Sequence, residues 1–213
     1  MDVAEALALR KTVRKFEKDG LILTRDQIEE MLALATLAPS ECGLKPWRFV
    51  VVRDSARKEA LYECCYRLEL VREASAIVIV CGDTLAFLNA PEETFEGGGA
   101  DATKHDGTGD YLKMLKRFNS SSEYQRFMLA VRSPSACAMA LLLVATERGV
   151  GSCPIFYYDE ACLRKEFGIP DQWAIVMLCA LGMPAAGAET FEKPDKSDVK
   201  AFVWHEGVEP MRF

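Results

Sequence analysis

Three stretches of this chain carry side chains able to hold a ligand or shape a reaction. The first is Arg10-Lys11-Thr12-Val13-Arg14-Lys15-Phe16. Side chains alternate along an extended backbone, so Arg10, Thr12 and Arg14 point the same way if this segment is extended. Two guanidinium forks and a hydroxyl converging on one point suit a phosphate, which accepts charge-assisted and often bidentate hydrogen bonds. A solvated basic segment on the surface fits the same composition.

The second stretch is Ala38-Pro39-Ser40-Glu41-Cys42-Gly43-Leu44-Lys45-Pro46-Trp47. Two prolines and a glycine hold it in an irregular path and leave backbone N–H and C=O groups free for a ligand. A tight connection with no ligand is the plainer reading, and Trp47 suits the core. The third stretch is Gly149-Val150-Gly151-Ser152-Cys153-Pro154-Ile155-Phe156-Tyr157-Tyr158-Asp159. Its two leading glycines let the backbone turn sharply, and Pro154-Ile155 offers a flat apolar surface for one face of an aromatic ring. Phe156, Tyr157 and Tyr158 either shield such a ring or are buried.

Other chemistry has less support. No Cys-x-x-Cys pair exists and only two histidines occur, His105 and His205, which argues against a zinc or iron–sulfur framework. The eight cysteines mostly sit in apolar stretches, where a thiol packs as a small hydrophobe, and they read as reduced. A thiol-based redox protein built on Cys64-Cys65 or Cys153 is therefore a minor alternative.

The elements that must position these stretches follow from periodicity and punctuation. Asp2 and Glu5 are spaced as a capping box for a short helix running up to Arg10. Thr24 and Gln27 open a second helix, with Ile28, Met31, Leu32 and Ala35 on one face and Pro39 as its stop. Residues 47–53 read as a strand, 55 to about 72 as a third helix, and 76–81 as a strand covered on both faces. From 82 to about 109 the periodicity dissolves, and a loop of that length is usually functional or disordered. Helical spacing returns over 110–127, and Ser133-Pro134 reads as the opening of an all-round apolar helix that Gly149 ends. Asp159 caps a further helix closed by Gly168, and 173–181 is the last clear strand.

With 213 residues the chain fits one domain, and half of those residues are hydrophobic, as in a packed protein. A net charge of −6 argues against a broad surface for nucleic-acid phosphates. The opening residues do not read as a signal peptide, since Asp2 and Glu5 interrupt them. The longest apolar run, 136–145, falls well short of the ~20 residues of a membrane span and reads as a buried helix.

The order of the three stretches resembles a family. A basic R-x-[ST]-x-R segment (Arg10, Thr12, Arg14) is followed by Ala38-Pro39-Ser40 and Pro46-Trp47, then by Gly149-Val150-Gly151-Ser152-Cys153. Next come Asp159-Glu160 leading to Leu163-Arg164, then Gly168-Ile169-Pro170 and Leu181-Gly182-Met183-Pro184. This ordered set is similar to the FMN-dependent nitroreductases, from Arg10 to about Lys193, with a gap over roughly 82–127.

The resemblance implies an α+β, three-layer fold with a mixed central sheet flanked by helices, in an intertwined homodimer whose C-terminal tail, from about 185, embraces the partner. It implies FMN as cofactor and NAD(P)H as co-substrate, with hydride passing through FMN to a small acceptor such as a nitroaromatic or a quinone. By the same resemblance Arg10, Lys11, Thr12 and Arg14 hold the FMN phosphate and ribityl chain. Pro39, Ser40, Glu41 and Gly43 reach the flavin from the second subunit, and Pro154, Ile155, Phe156 and Tyr157 lie against the isoalloxazine. Lys193 returns to the phosphate, with Lys196 as its rival. No general acid or nucleophile is assigned. The family's usual asparagine and glutamine in the loop are replaced by Gly43 and Lys45, and Phe156 and Tyr157 are bulkier than many relatives carry. Lys45 would place a positive charge near the flavin, and residues 82–127 would form a mobile cover. The reading is of a cytoplasmic enzyme without nucleic-acid or membrane partners; the alternative is a non-catalytic flavin-binding sensor or carrier.

Overall fold

The computed structural model describes residues 1–18, 20, 22–90, 117, 122–188 and 203. Lys193, Lys196, both histidines, most of the 82–127 insertion and the tail beyond 188, Val203 apart, lie outside them.

Among the described residues four strands form one sheet: β1 (Trp47–Val52), β2 (Ala76–Asp83), β3 (Gly151–Ile155) and β4 (Trp173–Gly182), in the order β1-β2-β4-β3. Every ladder is antiparallel. Among the described residues the parallel component of the sheet is confined to an isolated bridge between Thr12 and Ser152. Among the described residues six α-helices accompany the sheet: α1 (Val3–Leu9), α2 (Arg25–Ala35), α3 (Ser55–Cys64), α4 (Glu69–Glu73), α5 (Glu123–Glu147) and α6 (Glu160–Phe167).

The three expected layers follow from strand alternation. Ile77, Ile79 and Cys81 of β2 join Leu178 and Ala180 of β4 in one core with Leu61, Val71 and Leu163, from α3, α4 and α6. The intervening Val78, Val80, Cys179 and Leu181 face the other way, into a core with Ile28 and Met31 of α2 and Cys137 and Leu141 of α5. β2 is buried at every position, which explains its unbroken apolar sequence.

Local chemistry sets the helix ends. Thr24 and Gln27 form the reciprocal capping box, with Thr24 N donating to Gln27 Oε1 (2.9 Å) and Gln27 N to Thr24 Oγ1 (3.2 Å). α2 ends at Ala35, ahead of Pro39, because the last turn tightens into Leu37 N→Leu34 O (3.1 Å) and Ala38 N→Ala35 O (3.1 Å). Asp159 caps α6, and Gly168 closes it in the left-handed conformation (φ 63°).

Three expectations are corrected. The single helix over 55–72 is two, because Tyr66 and Arg67 adopt φ of 51° and 62° and reverse the chain between α3 and α4. The central helix opens at Ser122, whose Oγ accepts from Gln125 N, and runs through Pro134 as an interior residue. Gly151 to Ile155, read as a turn with an apolar surface, is an edge strand paired with β4. Helix α5 is long and apolar enough by composition to cross a membrane, yet its buried stripe packs on the sheet as a core helix does.

Pro134 has no N–H for the Ala130 carbonyl one turn earlier. That carbonyl is the group β2 meets at Gly82, where an added Cβ would lie 1.7 Å from Ala130 O and 2.5 Å from Ala130 C. Backbone is pressed on backbone, so neither side can yield by rotating a side chain. Gly82→Ala is expected to cost about 3 kcal/mol or more, the upper end of overpacking. Urea denaturation measures this, and a loss below about 1 kcal/mol would show that the helix slides freely on the strand.

Candidate functional site

The basic segment is strapped to the sheet rather than loose on the surface. Thr12 bridges Ser152, Val13 N donates to Ser152 O (2.9 Å), and Phe16 bridges Pro184. Glu17 N donates to Met183 O (3.0 Å), Ala185 N to Lys15 O (3.0 Å), and Phe16 N to Glu73 Oε2 (3.2 Å). Two glycines make room for this path. Gly151 and Gly182 face each other across the β3–β4 ladder. A Cβ on Gly151 would stand 3.1 Å from Val13 Cγ2, and one on Gly182 2.9 Å from Phe16 Cδ1.

Val13 and Phe16 are buried, while Lys11, Arg14 and Lys15 are exposed. Leu9, Lys11 and Val13 line a cavity of about 240 Å³ with Thr146, Gly149 and Pro184. Alternation therefore turns Thr12 and Arg14 away from Lys11. Arg14 lies close enough to Cys153 for its charge to pull that thiol's pKa down, against the larger upward push of burial. Ser152 is 2% exposed, and its Oγ is a buried polar atom with no hydrogen-bond partner among the described residues.

The strap and the third stretch are thus brought together on β3. Pro154 and Ile155 are the last two residues of that strand, paired with Cys179 and Leu178. Ile155 is turned into the core, whereas Phe156 and Tyr157 stand 67% and 64% exposed. The chain is pinned again directly afterwards: Tyr158 Oη donates to Ile175 O (3.3 Å), and Asp159 N to Cys64 O (2.8 Å).

The loop does not join them within one chain. Pro39, Ser40, Glu41 and Gly43 lead into β1 at Trp47, which pairs with Gly82 and, through it, lies level with Ala174 of β4. The strap crosses at Gly182, eight strand residues further on, or roughly 26 Å along the sheet at ~3.3 Å per residue. The loop is nevertheless built, not slack. Residues Glu41–Gly43 form a 3-10 turn, Ser40 Oγ accepts from Lys45 N (3.1 Å), and Gly43 and Lys45 take left-handed φ of 66° and 47°.

The sequence profile of the nitroreductase family matches residues 7–183. The chain belongs to the nitroreductase family. Among its relatives are an NADH dehydrogenase of Thermus thermophilus (30% identical, covering 87% of this chain and 88% of the relative) and an oxygen-insensitive NADPH nitroreductase of Helicobacter pylori (27%, covering 84% and 85%). A proposed nitroreductase from Exiguobacterium sibiricum 255-15, solved in complex with FMN, shares the fold with a TM-score of 0.79 at 21% identity, covering 97% of this chain and 98% of that one.

Two features of the site escape the sequence. One is Tyr66, whose ring centroid lies 4.3 Å from that of Tyr157. The other is a disulfide between Cys64, at the end of α3, and Cys162, in the first turn of α6, which corrects the reading of all cysteines as reduced. A sequence separation of 98 hides the pair; only the packing of α3 beside α6 makes it visible.

The free thiols among the described residues are buried: Cys65, Cys81, Cys137, Cys153 and Cys179. Burial pushes Cys65, Cys81 and Cys179 up to about 12 and Cys137 to about 11. Since the thiolate is the nucleophile, these groups are expected to resist Ellman's reagent at pH 8 until the protein is unfolded. Cys64 and Cys162 are expected to label only after reduction, with a loss of about 3 kcal/mol of stability. Fast labelling of the native protein at the buried five would reverse this assignment.

Proposed function

We infer that the chain is an FMN-dependent oxidoreductase passing hydride from NAD(P)H to a small organic acceptor such as a nitroaromatic or a quinone, as a cytoplasmic homodimer. One observation supports this most. A cationic strap, Arg10 to Arg14, is hydrogen-bonded through Val13 to Ser152 of the very strand that ends in Pro154-Ile155 and releases Phe156 and Tyr157 to solvent.

The groups present fit a flavin mononucleotide. Guanidinium forks suit its phosphate, and Thr12 adds a hydroxyl beside them. The orphaned Ser152 Oγ is a polar group that burial leaves wanting a partner. Arg10, Thr12 and Arg14 would hold the phosphate and ribityl chain, with Lys11 in the adjoining cavity and Lys193 as a second basic contribution. Pro154, Ile155, Phe156 and Tyr157 would lie against the ring. Bound FMN supplies the hydride chemistry. The chain's own work is to neutralise the phosphate, fix the ring by its backbone and border the opening.

Pro39, Ser40, Glu41 and Gly43 would complete the site from a second copy, because in their own chain they stand at the far end of the sheet. An apolar groove lined by Val3, Ala6, Leu34, Leu37, Leu143 and Val144 supplies a face for such a copy; Val3 and Leu37 are 71% and 80% exposed in the single chain.

Purified protein is expected to be yellow, dimeric in solution and equimolar in FMN, and to bleach within seconds on anaerobic mixing with NADH or NADPH. Arg14→Ala is expected to weaken FMN binding about ten-fold or more, the scale of a hydrogen bond to a charged group. Yellow protein that neither nicotinamide bleaches would identify a non-catalytic flavin sensor or carrier. Colourless protein that ignores added FMN at micromolar levels would end the reading.

A further inference from the structure

Lys45 occupies a backbone position that suits it poorly. Its φ of 47° is left-handed, a conformation that glycine takes freely and a lysine does not. It also precedes Pro46, whose ring pushes the residue before it towards extended backbone. The surroundings must therefore impose the turn. Ser40 Oγ accepts from Lys45 N (3.1 Å) and closes the loop from its own side. From the sheet, Arg48 Nη1 donates to Trp47 O (2.9 Å) and reaches Lys45 O (3.5 Å), while Asp83 N donates to Pro46 O (2.8 Å).

Arg48 and Asp83 are themselves one unit. Arg48 Nη2 donates to Asp83 Oδ2 (2.8 Å), and Asp83 Oδ1 accepts from Leu85 N (2.9 Å). The Asp83 side chain is 11% exposed and that of Arg48 38%. A charge pair this deep gains little over well-packed apolar residues, so it is weak evidence of a stabilising role. An apolar pair could fill the space but could not hold the carbonyls of Lys45 and Trp47. Leu44, next to Lys45, already packs on buried Phe87 and Leu129, so the loop is fastened to the core without the ion pair. What the pair adds is the direction taken by the exposed Lys45.

We propose that Arg48 and Asp83 are positioning residues that hold Lys45 in its left-handed turn, so that one copy presents this ammonium to the flavin bound by the other. This rests on the reading above, in which the loop from Pro39 to Gly43 completes a second copy's site; Lys45 lies just beyond it. A cation beside the ring favours the anionic form that reduced flavin adopts on losing a proton. The protein then holds reduced FMN more tightly, relative to oxidised FMN, than it would without the Lys45 charge. The ratio of the two affinities therefore reads where that charge sits.

A double-mutant cycle tests this. The midpoint potential of protein-bound FMN, equilibrated anaerobically with a reference dye at one fixed pH, gives the affinity for reduced FMN relative to oxidised. Lys45→Met is expected to lower that ratio roughly three- to ten-fold, the scale of one partly solvated charge. Asp83→Asn keeps the shape and leaves the Arg48 charge near solvent. It should lower the ratio by a similar factor, and the double variant should lose no more than Lys45→Met alone. Arg48→Lys keeps a cation beside Asp83 but not the fork, and should repeat the effect if the asparagine variant is not recovered folded.

An unchanged ratio in Lys45→Met or Asp83→Asn protein that still binds FMN overturns the proposal alone, as do losses that multiply in the double variant. A fall in stability or FMN content without a change in the ratio, the mark of a merely structural pair, overturns it too. Unsubstituted protein that binds no FMN, or that stays monomeric when loaded, overturns both the proposal and the reading beneath it.

Discussion

The hydrogen bond from Val13 N to Ser152 O, with the two glycines beside it, is the constraint on which the candidate site depends. A segment with four cations between Arg10 and Lys15 has no reason of its own to lie against a sheet. It does so because Val13 and Phe16 have apolar surface to bury and because Gly151 and Gly182 leave the space for them. The backbone pairing then fixes which side of the strap faces which way. Thr12 and Arg14 go to one side and Lys11 to the other, so the burial of two hydrophobic residues decides the placement of the charges between them.

The same sheet that gathers the strap and Pro154–Tyr157 keeps the Pro39–Gly43 loop away. The antiparallel order β1-β2-β4-β3 puts β1 and β3 at opposite edges, and the ladder registers put the loop and the strap at opposite ends. No side-chain rearrangement closes a gap of about 26 Å along a buried strand. If all three stretches serve one ligand, a second chain must present the loop. On the proposed reading a second copy would supply the loop, and the exposed apolar residues of α1 and α2 would offer it a surface.

How much of this was legible in the sequence depended on how local the cause was. The Thr24–Gln27 box, the Asp159 cap, the Gly168 stop and the all-apolar β2 are each set by neighbouring residues, and each was readable. The turn between α3 and α4 was not, because Tyr66 and Arg67 lack the glycine that announces left-handed backbone; distant packing and the α6 disulfide hold it. Pro134 misled for a related reason. A proline usually opens a helix, but here the carbonyl it frees, that of Ala130, meets Gly82 on β2, a partner far earlier in the chain. β3 was masked by its glycines, which serve close approach by the strap as well as turning. The order of the basic segment, loop and glycine motif carried the family, while their meeting and separation needed the sheet.

The three glycine contacts and the strained tyrosine have opposite logic. At Gly82, Gly151 and Gly182 a side chain is absent so that backbone or a neighbouring ring can come close, and the stability of the layers depends on that absence. At Tyr66 a bulky side chain is present where glycine would be easier, and nothing in the two cores requires its ring, since it projects to solvent. A residue that serves packing would relax to the cheaper choice. At Tyr66 the strain is held locally, by the Cys64–Cys162 disulfide to α6 and by the contact of its ring with Tyr157.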